Sequence, residues 1–539
     1  MRKAMYSTSL LRNLAFAVVA LVASAATGEE HERGPVVATS DGRVRGISSG
    51  GVDQFLGIPY AAAPLGDLRW RPPQPHGPWR GVRDATAFAN HCPQVASPYG
   101  LPSLTEDCLY LNVFRPARGD DDDNQGDDQG EDGGRERRRP VMVWIHGGAL
   151  LVGESDDYDP VRLVQHGVIV VTINYRIGVF GFLAHPALTA ESPAHASGNY
   201  GLMDQQAALH WVRRNIASFG GDPRRVTIFG ESAGGLSTHS HLASPLSAGL
   251  FHRAIVESGA YSFTQPSLSV AEAQGEEVAE RAGCSDQTAE CLRATPVETL
   301  LGALLVSSVI PDVDGLVLTQ TIGDSFASGQ FNRVPVIEGS NHDEWRLFVA
   351  SGFDLVSGPL TPEQYIPAIA ATLNVSIDVA TFFAGFYPLE NYDSPDLALS
   401  ALGTDAIFAC NSRKAVRLLS QQVTTYAYEF ADEDAPQLFL PPVSFPYGSA
   451  HASELQYLFG LRHTVEAPDL TEEQQQLADA MTTYWTSFAR TGSPNGGGEP
   501  PWDAYDSESD AMQLLVPADP EVEKGFAADH QCSLWTPMP

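Results

Sequence analysis

Gly230-Glu231-Ser232-Ala233-Gly234 sets a serine between glycines, directly after the apolar run Val226-Thr227-Ile228-Phe229 and before the small residues Gly235-Leu236-Ser237. A serine on a sharp strand-to-helix turn exposes its hydroxyl for attack on a carbonyl carbon, and the glycines let neighbouring backbone approach without a Cβ clash. The helix start behind it brings positive dipole close to developing negative charge. This is acyl-transfer chemistry with Ser232 as nucleophile. The bare pattern is cheap, because Gly46-Ile47-Ser48-Ser49-Gly50 matches it too. That copy runs into Gly51 and then Val52-Asp53-Gln54-Phe55, so it reads as a hairpin turn. Context assigns the role to Ser232.

Acyl transfer places charge on the former carbonyl oxygen, and preorganised N–H groups must face it. His146-Gly147-Gly148-Ala149 follows the strand-like run at 141–145 and resembles the glycine-rich segment that supplies such donors. The expected donors are the backbone N–H groups of Gly148, Ala149 and Ala233. The general base must follow the nucleophile and the acid in chain order. His451 sits in the small-residue loop Gly448-Ser449-Ala450-His451, with His463 and His530 as late competitors. For the acid, the strand-like run at 334–338 leads into Ser340-Asn341-His342-Asp343-Glu344. Acids beyond the carboxyl ends of parallel strands face the ligand crevice. Spacing does not choose between Asp343 and Glu344. Neither a metal nor an organic cofactor is required by this chemistry.

The elements that must hold these residues are short apolar strands alternating with helical stretches. Residues 141–145, 168–175, 226–229, 254–257 and 334–338 read as strands buried on both faces, as in parallel sheets. Residues 203–219 carry apolar positions at helical spacing and stop at Gly220-Gly221-Asp222-Pro223. Strand, helix and strand in series predict an α/β fold. With the serine elbow, the expectation is an α/β-hydrolase fold with a large, mostly parallel sheet and helices on both faces. The motifs spread from Gly147 to His451 yet must meet in one pocket. One catalytic domain with insertions, residues 35–539, is therefore expected.

At the N-terminus, Arg2, Lys3 and Arg12 precede an apolar run at 14–22 and the small residues Ala23-Ser24-Ala25. This is the pattern of a cleaved signal peptide, residues 1–25. The run falls short of the roughly 20 residues that a spanning helix needs. Export is expected, to the medium or to a periplasm, without stable membrane insertion. Six cysteines in an exported chain invite pairing. Neighbours in sequence group Cys92 with Cys108 and Cys284 with Cys291, leaving Cys410 and Cys532, although sequence alone leaves the connectivity open. A formal charge of −33 argues against nucleic acid or anionic lipid as partner. The run at 119–139 packs acids ahead of Arg135, Arg137, Arg138 and Arg139, lacks an EF-hand's ligand spacing, and reads as a solvated loop. Oligomeric state is not legible.

Phe55-Leu56-Gly57-Ile58-Pro59-Tyr60, Glu106-Asp107-Cys108-Leu109-Tyr110-Leu111-Asn112-Val113, Asn199-Tyr200-Gly201-Leu202-Met203-Asp204-Gln205 and Trp485-Thr486-Ser487-Phe488-Ala489-Arg490 extend the pattern over most of the chain. Together with the elbow they resemble the type-B carboxylesterases, relatives of cholinesterases and bile-salt-stimulated lipases. The resemblance implies a small-molecule ester as substrate. It selects Glu344 over Asp343 and His451 over its rivals. It also implies the disulfides Cys92–Cys108, Cys284–Cys291 and Cys410–Cys532, and a supporting role for Ser258. Two departures stand out. Trp345 follows the acid where the family carries glycine, which would alter a pocket wall. The loop from Cys92 to Cys108 lacks the tryptophan that binds choline by cation–π contact, which argues against cholinesterase activity. An interfacial lipase and a non-catalytic binding protein on the same scaffold are the rival readings. Leu150-Leu151, beside the donor segment, is compatible with bulky acyl or alcohol groups.

Overall fold

The computed structural model describes residues 34–117, 138–306 and 309–535. The signal peptide expected at 1–25 and the acidic run up to residue 137 lie outside the described residues.

Apolar runs with side chains alternating between two faces build the central sheet. In chain order its strands are β1 (Ile47–Ser49), β2 (Val52–Pro59), β3 (Tyr110–Pro116), β4 (Arg139–Ile145), β5 (Ile169–Ile173), β6 (Gly221–Glu231), β7 (Arg253–Glu257), β8 (Val336–Asn341), β9 (Thr425–Phe430), β10 (Met512–Leu515) and β11 (Glu521–Glu523). Their order across the sheet is β11-β10-β9-β8-β7-β6-β4-β5-β3-β2-β1. From β10 to β5 all neighbours pair in parallel, and both margins are antiparallel.

Along β4, Val141, Val143 and Ile145 enter one apolar cluster, while Met142 and Trp144 enter another on the opposite face. Period-two alternation with both faces apolar is what a sheet covered on both sides requires. Helix α1 (Tyr200–Asn215) packs Leu202, Leu209 and Trp211 into the first cluster. A later helix, Glu472–Thr491, packs Leu477, Met481 and Trp485 into the second. That helix opens on a capping box between Thr471 and Gln474 and closes on Gly492 at φ 84°. A third apolar cluster gathers helical segments between 347 and 402, including Leu347, Ile369 and Leu399, beside the loop that carries His451.

Element boundaries differ from the sequence reading in definable ways. β6 reaches back to Gly221 because its N-terminal end pairs with Arg139 across a register shift. The strand expected at 168–175 ends at Ile173, after which Asn174 turns its side chain to accept from the Ser155 N–H. β8 starts beyond Pro335 and continues to Asn341, carrying the acidic loop further along the sheet than expected. The helix expected at 203–219 begins earlier, at Tyr200, and its last turn tightens into a 3₁₀ segment, Ile216–Phe219, before Gly220 at φ 90°. The second G-x-S-x-G copy is a hairpin. β1 and β2 pair Ser49 with Val52 around Gly50 and Gly51, both at positive φ.

Three disulfides join Cys92–Cys108, Cys284–Cys291 and Cys410–Cys532. Among the described residues, no single helix is long and apolar enough to cross a membrane.

Candidate active site

Ser232 stands between the end of β6 and helix α2 (Ala233–Ala243), with φ 54° and ψ −117°. A non-glycine residue adopts this backbone only when its surroundings enforce it. The Ser232 N–H donates to the Glu257 carbonyl at 2.9 Å, and the Ser232 carbonyl accepts from Leu236 in the first turn of α2. Glycine is obligatory on both sides. A Cβ on Gly230 would lie 2.6 Å from the Ile145 oxygen, and one on Gly234 only 1.9 Å from it. The elbow is therefore wedged against the end of β4, the strand that leads into His146-Gly147-Gly148-Ala149.

The loops that carry Glu344 and His451 are stitched to each other. Glu344 Oε1 accepts from the Asn341 N–H at 2.9 Å, and Glu344 Oε2 meets His451 Nδ1 at 2.5 Å. Asn341 also donates from its side chain to the Ala450 carbonyl at 2.9 Å and to Glu454. Asp343, which spacing left open, turns elsewhere. Its Oδ2 accepts from the Ser449 N–H, and its Oδ1 pairs with Arg346 at 2.8 Å. The rival histidines also lie elsewhere. His530 is fixed between Asp405 and Glu429, at 2.7 Å from each. His463 faces Asp157 at 3.7 Å.

Ser232 and His451 line one cavity of about 440 Å³. Its walls are chiefly apolar, among them Tyr99, Leu151, Leu304, Phe348 and Phe439. Gly148 and Ala149 also line it, at φ 93° and 57°, and Leu150 follows at 60°. Three successive residues at positive φ curl the backbone at the cavity wall, the geometry from which N–H groups can converge on an anion. The Val152 N–H returns to the Gly148 carbonyl at 3.0 Å and closes this turn. Ala233 is the buried first residue of α2. Of the Leu150-Leu151 pair, Leu151 faces the cavity, whereas Leu150 is buried in the first apolar cluster.

Ser258, at φ 51°, extends β7 by donating its N–H to the Gly339 carbonyl at 2.9 Å. It is buried next to the residue whose carbonyl holds Ser232. Trp345 does not line the cavity. Its ring lies 4.5 Å from that of Phe348, which does, and which stands 5.1 Å from the His451 ring. The departure from glycine thus acts one layer back, by bracing Phe348.

Three further carboxyl groups surround the site, and the sequence reading missed them. Glu231 Oε1 lies 3.1 Å from His451 Nε2. Glu454 joins Asn341, and Glu257 accepts from Trp485 Nε1 at 2.8 Å. Burial holds Glu231 well above the ordinary carboxyl range, against the pull of His451 and with the help of nearby Glu454 and Glu344. Burial likewise pushes Glu257 up to about 8 and Glu454 up to about 7, the latter reinforced by Glu344. Burial alone would lower the His451 imidazole, but Glu231 and Glu344 outweigh it and push it up to about 9. The available signal was the acid itself: Glu231 inside the elbow and Glu257 closing an apolar strand are costly to bury without a purpose.

The model of the carboxylesterase family matches residues 33–535. An acylcarnitine hydrolase of Mus musculus is 35% identical over 94% of this chain and 91% of its own length. A cocaine esterase of Homo sapiens is 34% identical over 93% of this chain and 91% of its own. A liver carboxylesterase of Sus scrofa is 35% identical over 93% of each. The chain belongs to the carboxylesterase family and is a carboxylesterase.

Proposed function

We propose that this carboxylesterase is an exported serine hydrolase that cleaves small-molecule carboxylic esters through a Ser232–His451–Glu344 triad and an acyl-enzyme. The observation that carries the proposal is the strained Ser232 turn opening into the same cavity as the His451–Glu344 pair. In this reading His451 takes the hydroxyl proton as Ser232 attacks the ester carbonyl. Glu344 holds the imidazole tautomer and stabilises the imidazolium. The N–H groups of Gly148, Ala149 and Ala233 receive the oxyanion, each worth roughly 3–4 kcal/mol of barrier. The alcohol leaves with the proton from His451, and water, activated by the same imidazole, frees the acid.

Ser258 would act by fixing the end of β7, whose last carbonyl holds the nucleophile. The chiefly apolar cavity suits an acyl or alcohol group of moderate size, in keeping with relatives named for acylcarnitine and cocaine. Three disulfides fit an oxidising compartment, and with the leader they support export as one catalytic domain spanning 35–539.

Replacing Ser232 with alanine should abolish p-nitrophenyl ester hydrolysis while leaving circular dichroism and melting unchanged. Retained turnover would defeat the assignment. Rates on soluble short-chain esters should exceed those on emulsified triglyceride. The reverse order would favour the interfacial lipase.

A further inference from the structure

Behind the rim of the cavity, chain segments distant in sequence converge on a second polar cluster. The 3₁₀ turn Ser155–Asp157, which follows the curled donor segment, brings Glu154 and Asp157 together. Glu154 is completely buried and Asp157 is 8% exposed. His91, next to the Cys92–Cys108 disulfide, sets its Nδ1 at 3.3 Å from Glu154 Oε1. His463 sets its Nε2 at 3.7 Å from Asp157 Oδ1. The ligating atoms of Glu154, Asp157 and His463 all lie within 4.8 Å of one another.

One of these atoms is unexplained by the protein itself: Asp157 Oδ1 is buried and has no hydrogen-bond partner. Asp156 adds a third carboxyl in the same turn, so like charges crowd here. A cation at the centre would satisfy the orphan oxygen and offset the crowding.

We propose that Glu154, Asp157 and His463 bind one divalent transition-metal ion of the zinc class, with His91 holding Glu154 from behind. An imidazole nitrogen beside two carboxylate oxygens favours such an ion over calcium or magnesium, which prefer all-oxygen shells. Zinc bonds of about 2.0–2.2 Å put tetrahedral ligand atoms about 3.3–3.6 Å apart. The His463–Asp157 spacing of 3.7 Å needs a small inward movement. His463 can supply that movement, because its side chain is 41% exposed and gives the site an entry path. Glu154 is positioned from behind, its Oε2 accepting from Gln94 and its Oε1 from the Leu101 N–H. The ion would cross-link the 3₁₀ turn Ser155–Asp157 to the segment just after the strand Gly460–Leu461, which pairs with Tyr158–Asp159. Because Asp157 and Arg462 line the cavity, it would brace the substrate rim without entering the acyl-transfer chemistry.

The test uses the full mature protein, stripped with a chelator and free of any metal-binding tag. Zn²⁺ is titrated calorimetrically in the presence of excess Ca²⁺, which occupies loose surface carboxylates. Co²⁺ is followed separately by its visible absorption. The expected result is one tight equivalent of Zn²⁺, a melting temperature raised by Zn²⁺, and Co²⁺ bands of low coordination number. His463→Ala, at an exposed position, should weaken binding by at least the roughly 10–100-fold that loss of an outer-shell partner costs. Asp157→Asn should do the same, and both variants should lose the thermal shift. No tight equivalent in the wild type would overturn the proposal, as would an equivalent that neither substitution weakens.

Discussion

The two G-x-S-x-G copies offer a matched pair of perturbations. In Gly234→Ala the new Cβ would lie 1.9 Å from the Ile145 oxygen, where real Cβ atoms essentially never come closer than 3.0 Å. Elbow and β4 must therefore separate by about 1 Å, between Ser232 and the strand that leads into Gly148 and Ala149; in the proposed mechanism a misplacement of that size costs roughly 10²-fold in rate. Overpacking of this kind also costs about 1–3 kcal/mol of stability. Gly50, in the hairpin copy, sits at φ 58° with nothing within 4 Å of its would-be Cβ. Gly50→Ala should therefore lose about 1–2 kcal/mol from backbone strain alone and keep full turnover. Steady-state hydrolysis of p-nitrophenyl acetate, normalised to active sites titrated with an organophosphate, measures the first effect. Urea unfolding measures the second. The reasoning fails if Gly234→Ala retains wild-type kcat while folded, or if Gly50→Ala loses activity to the same degree.

Other consequences can be checked in parallel. Glu344→Gln should lower kcat by about 10³–10⁴-fold by misdirecting the imidazole, whereas Asp343→Asn, which disturbs Arg346, Ser449 and His342, should stay within about tenfold of wild type. Equal losses would contradict the division of labour between the two acids. Glu231→Gln removes one of the carboxylates that hold the His451 imidazole up, so the acid limb of the kcat/KM–pH profile should move to lower pH. An unchanged or upward-moving limb would refute the electrostatic reading. Replacing both Cys410 and Cys532 with serine opens a link spanning 122 residues and should cost about 4–5 kcal/mol in urea unfolding. Opening Cys284–Cys291, which spans 7, should cost about 2–3 kcal/mol.

How much the sequence disclosed depended on the range of the interaction. The elbow was readable because strand, glycines and helix start are contiguous, and the clash of Gly234 with Ile145 is a local consequence of that turn. The choice between Asp343 and Glu344 was not readable from spacing. It rests on how two loops 107 residues apart are stitched through Asn341 and Ala450. Only the family resemblance selected Glu344, the acid that pairs with His451. The same holds for His463 and His530, which compete with His451 on paper but are held by Asp157 and by Asp405 with Glu429. Trp345 stands beside the acid in sequence yet braces Phe348 from behind, because the turn after β8 carries its side chain away from the cavity. The cluster of Glu154, Asp157 and His463 left no trace in spacing, since it is the pairing of Gly460–Leu461 with Tyr158–Asp159 that brings those segments together.

The most direct test traps the intermediate. Quenching the mature protein in acid during turnover of a p-nitrophenyl ester, followed by peptide mass spectrometry, should place the acyl group on the peptide containing Ser232. The adduct should disappear as turnover is allowed to finish. An acyl group on another residue, or turnover with no adduct at any quench time, would contradict the account.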